Sequence, residues 1–488
     1  MNRTTLPAPE AKPWRPAWAA VLAGGAILTW PAVLNLYPLL FIDSVSYLLH
    51  SLTGRHPWDK TAIYGPLLYV FHWRISLWGA IAAQAVLLSW LIWRVQRATG
   101  GDAQPGRHLV LVGILGLTTT APWFVSLALP DVLSAVVVLV IFLLGCERHP
   151  RGHAATAFLV LIGALAVASH LSHLGIAGAI VVFVAVMRRA VRPILVAAAP
   201  VLLACVGLLT ANLVAFERPV LSAHGAFFLL ARLQADGPAT ETMRRHCPSR
   251  GWRLCDRVDS LPMSADAFLW SEASPILRDA SGALRPRNGL PLVGEASEIA
   301  RLTLREMPLA VAGAMATNAL RQAVRIGLGD TFDPSDLRGG VAVVIADLLG
   351  DTERRRFEGG AQMRGTLVTP PDGFFFGVLA VAALALVVAL LRPATRRRAD
   401  WAAFVACVIV GFAANAFMTG ALSGPHDRYG ARLAWIVVLA AVLAADPPNG
   451  PRRGIGRVVP AQPASVLAIA IGVGMVACAQ GAGPACVF

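Results

Sequence analysis

The chain has 488 residues, of which 56% are hydrophobic and 14% charged, against about 25% charged in an ordinary soluble domain. That balance excludes a disordered chain, a fibrous repeat and a soluble enzyme, and it leaves a protein that crosses a membrane many times. The formal net charge of +14 is almost wholly arginine, because Lys12 and Lys60 are the only lysines. Nucleic acid is excluded as a partner, since no basic face with base-stacking groups is present.

Met1 to Pro16 is polar and proline-rich, and Ala17 to Leu40 is then apolar. About 20 residues cross the hydrocarbon, so this stretch reads as an uncleaved first helix rather than a signal peptide, with a kink at Pro31. Further spans are predicted at Leu77–Trp93, Leu109–Leu129, Val132–Cys146, Ala154–Ser169, Leu171–Met187 and Ile194–Val214. After a long polar region follow Phe374–Leu391, Trp401–Met418, Leu433–Ala445 and Val466–Ala479. The expected fold class is an all-α polytopic membrane protein of about eleven transmembrane helices. It divides into an N-terminal membrane module (1–214), a large extracytoplasmic region (215–373) and a C-terminal membrane module (374–488).

Arginines fix the sidedness. Arg94, Arg97, Arg107, Arg148, Arg151, Arg188, Arg189, Arg192, Arg392 and Arg396 to Arg398 all fall on one side if the helices alternate, and the positive-inside bias makes that side cytoplasmic. Parity lets Met307–Leu320 span only if Val341–Leu349 also crosses, and the latter is too short to cross unaided, so both are expected as non-spanning helices of the outer region, at the bilayer surface or against the bundle. Cys247 and Cys255, eight apart in that region, are expected to form a disulfide. Cys146, Cys205, Cys407 and Cys478 read as small apolar fillers. Asp330, Asp333 and Asp336 read as a solvated turn, because the terminal glutamate of a calcium loop is missing.

Polar groups gather at the outer ends of the helices. Asp43 lies just past the first span, Pro130-Asp131 at the turn between the third and fourth, and His170 and His173 at the tight turn between the fifth and sixth. His426-Asp427-Arg428-Tyr429, followed by Arg432, opens the tenth span. Asp131 suits a helix cap, the histidines a phosphate contact or a shared proton, and the arginines a lipid-linked phosphate. Asp43 has the chemistry to take a proton from a hydroxyl or to hold a divalent cation beside a phosphate, although no metal ligand set is assigned. Ionisable groups at spans are costly unless paired or used, so one outward-opening polar cavity is expected to use them together. Arg55, His56, Trp58, Asp59, Lys60, Tyr64, His72 and Arg74 add a polar and aromatic rim.

This layout resembles the GT-C-type polytopic glycosyltransferases, which use lipid-linked sugar donors. Asp43 matches the acidic residue those enzymes carry after their first membrane helix, and Pro130-Asp131 resembles a second acidic position in a later outer turn. Thr61–Trp73 is similar to a short amphipathic element of their first outer loop, and Arg428 with Tyr429 to late residues that meet the donor phosphate. The likeness covers 17–214 best and 374–445 loosely. The first loop carries Asp43 and then Asp59 rather than two adjacent carboxylates. The resemblance implies a GT-C-like bundle and a polyprenyl-phosphate sugar donor, with an envelope glycan, lipid or protein as acceptor. It makes Asp43 the general base, places Arg428 and Arg432 on the phosphate, and leaves Asp131, His170, His173, His426, Asp427 and Tyr429 to bind donor or acceptor.

A polysaccharide ligase or polymerase, a lipid or solute transporter or flippase, and an assembly protein remain alternatives. The last would tolerate alanine at Asp43 and Arg428. A composition rich in alanine and arginine, with almost no lysine, suggests a bacterial inner membrane as the location.

Overall fold

The computed structural model describes residues 14–100, 103–148, 151–329, 331–338 and 340–445. The predicted last span Val466–Ala479, Cys478, Cys486, Asp330 and the first thirteen residues lie outside the described residues.

Every named element among the described residues is helical. The first predicted span is two helices, α1 (Trp14–Leu28) and α2 (Trp30–Asn35). They part at Thr29, where Pro31 opens α2 instead of kinking a continuous helix. Leu36, at φ 64°, ends α2 in the left-handed region. The chain then runs as a loop in which Leu39 bridges Leu127. Helices α3 (Ser44–Thr53) and α4 (Tyr64–His72) lie between the first two predicted spans. They are followed by α5 (Trp78–Gly100), α6 (Pro105–Thr118), α7 (Ala121–Val125) and α8 (Val132–Gly145). The predicted span Leu109–Leu129 is thus broken as well, with Pro122 in the first turn of α7.

Next come α9 (His153–Ala168), α10 (Leu171–Arg188) and α11 (Val191–Phe216). The middle region holds α12 (Gly225–Ala235), α13 (Pro238–Arg250), α14 (Ala265–Trp270), α15 (Val293–Glu306), α16 (Pro308–Ala323), α17 (Val341–Leu349) and α18 (Asp351–Glu358). The described chain closes with α19 (Asp372–Leu391), α20 (Pro393–Arg396), α21 (Ala399–Ala416) and α22 (Asp427–Ala444).

Among the described residues, five helical segments are long and apolar enough to cross a membrane: Trp78–Gly100, Leu171–Arg188, Val191–Phe216, Asp372–Leu391 and Ala399–Ala421. Shorter apolar helices pack with them, among them Pro105–Thr118, Val132–Gly145 and His153–Ala168. The chain is an all-α, multi-pass membrane protein. Helix α8 is apolar on every face and buried at every position, as expected of a helix at the centre of a bundle. Helices α11 and α19 instead expose Leu202, Val206, Val381 and Leu384 outward. Such an apolar exterior suits lipid, where water would disfavour it.

One apolar core joins helices from before and after the middle region and takes in Val341, Ile345 and Phe357 of α17 and α18. A second core is built on Phe227, Met243, Trp252, Phe268, Ile299 and Val311 of the middle region, with Trp58 packed against it. The segment expected as one outer region therefore has two parts, a lobe with its own core and a strap fastened to the bundle. Buried Glu353 ties the strap, accepting from Tyr37 Oη at 3.0 Å and Ser76 Oγ at 3.1 Å. Gln362 pairs with both the N–H and the C=O of Leu40.

Cys247 and Cys255 are disulfide-bonded, with Cα atoms 5.4 Å apart. Closing so short a loop is worth about 2–3 kcal/mol on chain-entropy grounds. Cys247→Ser is expected to lower lobe stability by that amount. Hydrogen exchange checks this: protection should fall in α13 and α15 and stay unchanged in α8.

Candidate functional site

The start of α22 places the arginines. His426 is extended (φ −131°, ψ 146°) and precedes the first helical turn. The Gln322 side chain holds it from both sides, accepting from its N–H and donating to its C=O, each at 2.9 Å. Gly430 passes the Arg325 carbonyl so closely that a Cβ would collide with it. The helix therefore begins at Asp427, six residues before the predicted span, and Arg428 and Arg432 lie inside it rather than in an outer loop. Four residues apart, they share one face, and each guanidinium sits 5.2 Å from the Tyr429 ring.

Asp131 stands where a cap was expected, directly before α8, yet its side chain makes no cap bond. The carboxylate turns to Arg432 at 3.3 Å and Arg428 at 3.7 Å. Arg432 is fully buried. It donates from the same guanidinium to Ser172 Oγ and Asn415 Oδ1, both at 2.9 Å. Arg428 bridges onward to Asp43 at 3.1 Å and lies 4.1 Å from the Phe41 ring. Asp43, directly before α3, also makes no cap bond and receives Lys60 at 2.9 Å. Lys60 pairs in addition with Asp59 at 3.1 Å and faces the Trp270 ring of α14 at 5.4 Å.

The result is a continuous chain of alternating charge, Asp59–Lys60–Asp43–Arg428–Asp131–Arg432, in which three carboxylates offset three cations. It grades from the buried Arg432 to Asp43, whose side chain is 27% exposed. Burial alone raises the Asp43 carboxyl, but the Lys60 ammonium and then the Arg428 guanidinium outweigh it and hold it below the usual carboxylate range. With cations on both of its oxygens, and Asp131 likewise engaged by guanidinium groups, neither carboxylate suits a divalent metal. The residues present do not fit one there.

The histidines divide. His170 Nδ1 accepts from the Ser172 N–H at 3.2 Å and faces Ser172 Oγ at 2.8 Å, so His170 joins the chain through Ser172 and Arg432. That arrangement assigns its proton to Nε2. His173 pairs its Nδ1 with the Ala166 carbonyl at 2.7 Å, and its buried Nε2 has no partner.

His426 and Asp427 do not join the chain. His426 points to Asp266 of the lobe, 3.7 Å away, and Asp427 lies beside Gly329. The expected convergence of eight ionisable groups is therefore a convergence of five, His170 included, joined by Lys60 and Asp59 from the rim. Ser172 and Asn415 complete the site and carry no isolated signal; Asn415 shows itself only as an amide within an apolar helix.

No protein-family model matches the chain, and no curated protein matches it. A solved structure, that of ArnT from Cupriavidus metallidurans bound to undecaprenyl phosphate, aligns over 88% of this chain and 78% of its own, at 15% identity and a TM-score of 0.31. A likeness of that degree sets no residue correspondence.

Proposed function

We propose that this chain is a membrane glycosyltransferase. It moves a sugar from a polyprenyl-phosphate donor to an envelope glycan, lipid or protein acceptor at the outer face of a bacterial inner membrane, with the lobe extracytoplasmic. One observation carries the reading: a partly exposed carboxylate, Asp43, is held between two cations at the end of a lipid-embedded bundle.

The charge balance suggests how the site works. Without donor, each cation is already neutralised by a carboxylate. A donor phosphate competes for Lys60 and Arg428, and the contacts it takes are contacts Asp43 loses. Asp43 then regains basicity beside the acceptor. It removes the acceptor hydroxyl proton as the oxygen attacks the anomeric carbon. The bond from that carbon to the phosphate oxygen breaks, and polyprenyl phosphate leaves with its negative charge on Lys60 and Arg428. Asp131 and Arg432 hold Arg428 in place from below. One base suffices for this inverting displacement.

This scheme has a pH signature. The acid limb of kcat/KM reports the free protein and that of kcat the donor complex. The first is expected below the ordinary aspartate value of about 3.9, and the second above the first. The depressed carboxyl also contributes stability at neutral pH, which is lost progressively as pH falls below the unfolded-state value of about 3.9 and is gone once pH has passed the lower folded-state value. Initial rates in nanodiscs across the acid range check the order of the two limbs; coincident limbs remove the competition step.

Mass spectrometry of envelope glycans and lipid-linked sugars from a deletion strain tests the function itself. Loss of one sugar modification with accumulation of its polyprenyl-linked donor is expected, restored by the wild-type chain. Accumulation of a diphosphate-linked oligosaccharide instead would assign a ligase or polymerase.

A further inference from the structure

A cavity of about 430 Å³ lies between the lobe and the start of α22, outside the charge chain. Its size falls within the roughly 300–1,000 Å³ of small-molecule sites. Its walls are fixed. The loop carrying Pro262 to Asp266 is pinned by buried Gln234, which accepts from the Met263 N–H at 3.0 Å and donates to the Met263 carbonyl at 2.8 Å. Ser264 accepts from the Ala267 N–H at 3.1 Å and so holds the start of α14. The opposite wall is Gly424-Pro425-His426, and Gln322 anchors His426.

The charges in the cavity argue for a neutral ligand. Arg232 is clamped by Asp236 through Nε at 3.0 Å and Nη2 at 2.6 Å, and Asn318 donates to both oxygens of the same carboxylate. The Arg232 charge is thereby offset, while its Nη1 faces Gly424 and keeps N–H groups to donate. Asp266 is 64% exposed and repels an anion. Asp266 accepts, Arg232 Nη1 donates, and the His426 ring does either. Pro262, Met263 and Pro425 supply apolar surface. That pairing of hydrogen-bonding edge and apolar face matches a sugar ring.

Gly424 leaves two polar groups of the wall uncovered. A Cβ there would stand 3.5 Å from His426 Nε2 and 3.6 Å from Arg232 Nη1, in ordinary contact with both groups that would hold the ligand. The cavity adjoins the proposed reaction centre by two routes. Helix α14 begins at its wall and ends at Trp270 over Lys60. The His426 ring meets the edge of Tyr429, which lies against both arginines.

We propose that this cavity is a subsite for an uncharged sugar unit of the acceptor, bound by Asp266, Arg232 and His426. The acceptor role rests on the transferase reading; the binding of a neutral sugar does not.

The test is saturation-transfer NMR on the full chain in nanodiscs. The probes are methyl glycosides of glucose, mannose, galactose and N-acetylglucosamine, with glucuronate and glucose 6-phosphate as charged comparisons. At least one neutral glycoside is expected to bind and the charged probes to bind less. Gly424→Val should strongly weaken the signal by covering His426 Nε2 and Arg232 Nη1. Asp266→Asn, at an exposed side chain that packing does not need, should weaken it about tenfold, the lower worth of one hydrogen bond to a charged group. The proposal is overturned if no neutral glycoside binds, if the charged sugars bind better, or if both variants bind as the wild type does. Glycoside binding without sugar transfer that depends on Asp43 would keep the subsite and remove the transferase. Such transfer without glycoside binding would do the reverse.

Discussion

Asp43→Asn is expected to lower sugar transfer by about 10²- to 10⁴-fold, the usual worth of a positioned general base, while leaving the protein folded. The fold survives because neither cation is stranded. Lys60 keeps Asp59 at 3.1 Å and Arg428 keeps Asp131 at 3.7 Å. The side chain is also partly exposed, so the neutral amide is not left in a dry interior. Donor affinity is predicted to rise, since the phosphate no longer displaces a carboxylate from Lys60 and Arg428. Loss of kcat with unchanged or tighter donor binding separates a base from a mere anchor, whose loss would weaken binding instead. Turnover and donor titration in nanodiscs, at matched protein levels, measure both. Wild-type turnover by the asparagine variant would remove Asp43 from the chemistry.

Spacing and hydropathy located the bundle but missed where helices break. A proline in an apolar run signals disturbance without saying which kind. Pro31 and Pro122 each start a new helix after a threonine, so two predicted spans are each a pair of helices. Hydropathy also placed the tenth span too late, because Arg428 and Arg432 lower the average where the helix has already begun. Their spacing of four was the available clue that both sit on one helical face. The same phase turns Asp427 about 100° away from Arg428, which is why three adjacent ionisable residues do not act as one group.

The candidate site is legible as a set of charges at helix ends and illegible as a set of pairs. Arg428 and Asp43 are 385 residues apart and Arg432 and Asp131 are 301 apart, so no local pattern links them. In the sequence Lys60 belongs to a polar and aromatic rim, and only the fold of the segment between the first two spans brings it onto Asp43. Asp131 shows why a local rule failed. Its position directly before α8 satisfies the capping pattern, but two guanidinium groups out-compete a backbone N–H for a buried carboxylate.

Arg432→Leu is expected to destabilise the protein by about 3–5 kcal/mol, the range for removing one partner of a buried ion pair. Arg432 has no exposed surface, and Asp131 is 4% exposed on its side chain. Leucine leaves Ser172 Oγ and Asn415 Oδ1 without the donor each now has, and Asp131 with Arg428 alone at 3.7 Å. A carboxylate so buried and so weakly paired is costly within a bundle. The cost should therefore be non-additive. Asp131→Leu combined with Arg432→Leu removes the buried charge with its partner, and the double variant is expected to be more stable than the sum of the two single losses predicts. Thermal unfolding in detergent of the four proteins in the cycle gives the coupling. An additive cycle, or a loss below about 1 kcal/mol in Arg432→Leu, would mean that Arg432 does not hold this end of the charge chain together. If the coupling is present, Arg432 acts on the chemistry by fixing Arg428 through Asp131. Arg432→Lys should then retain part of the stability while failing to restore transfer, because an ammonium cannot reach Asp131, Ser172 and Asn415 together with a planar fork.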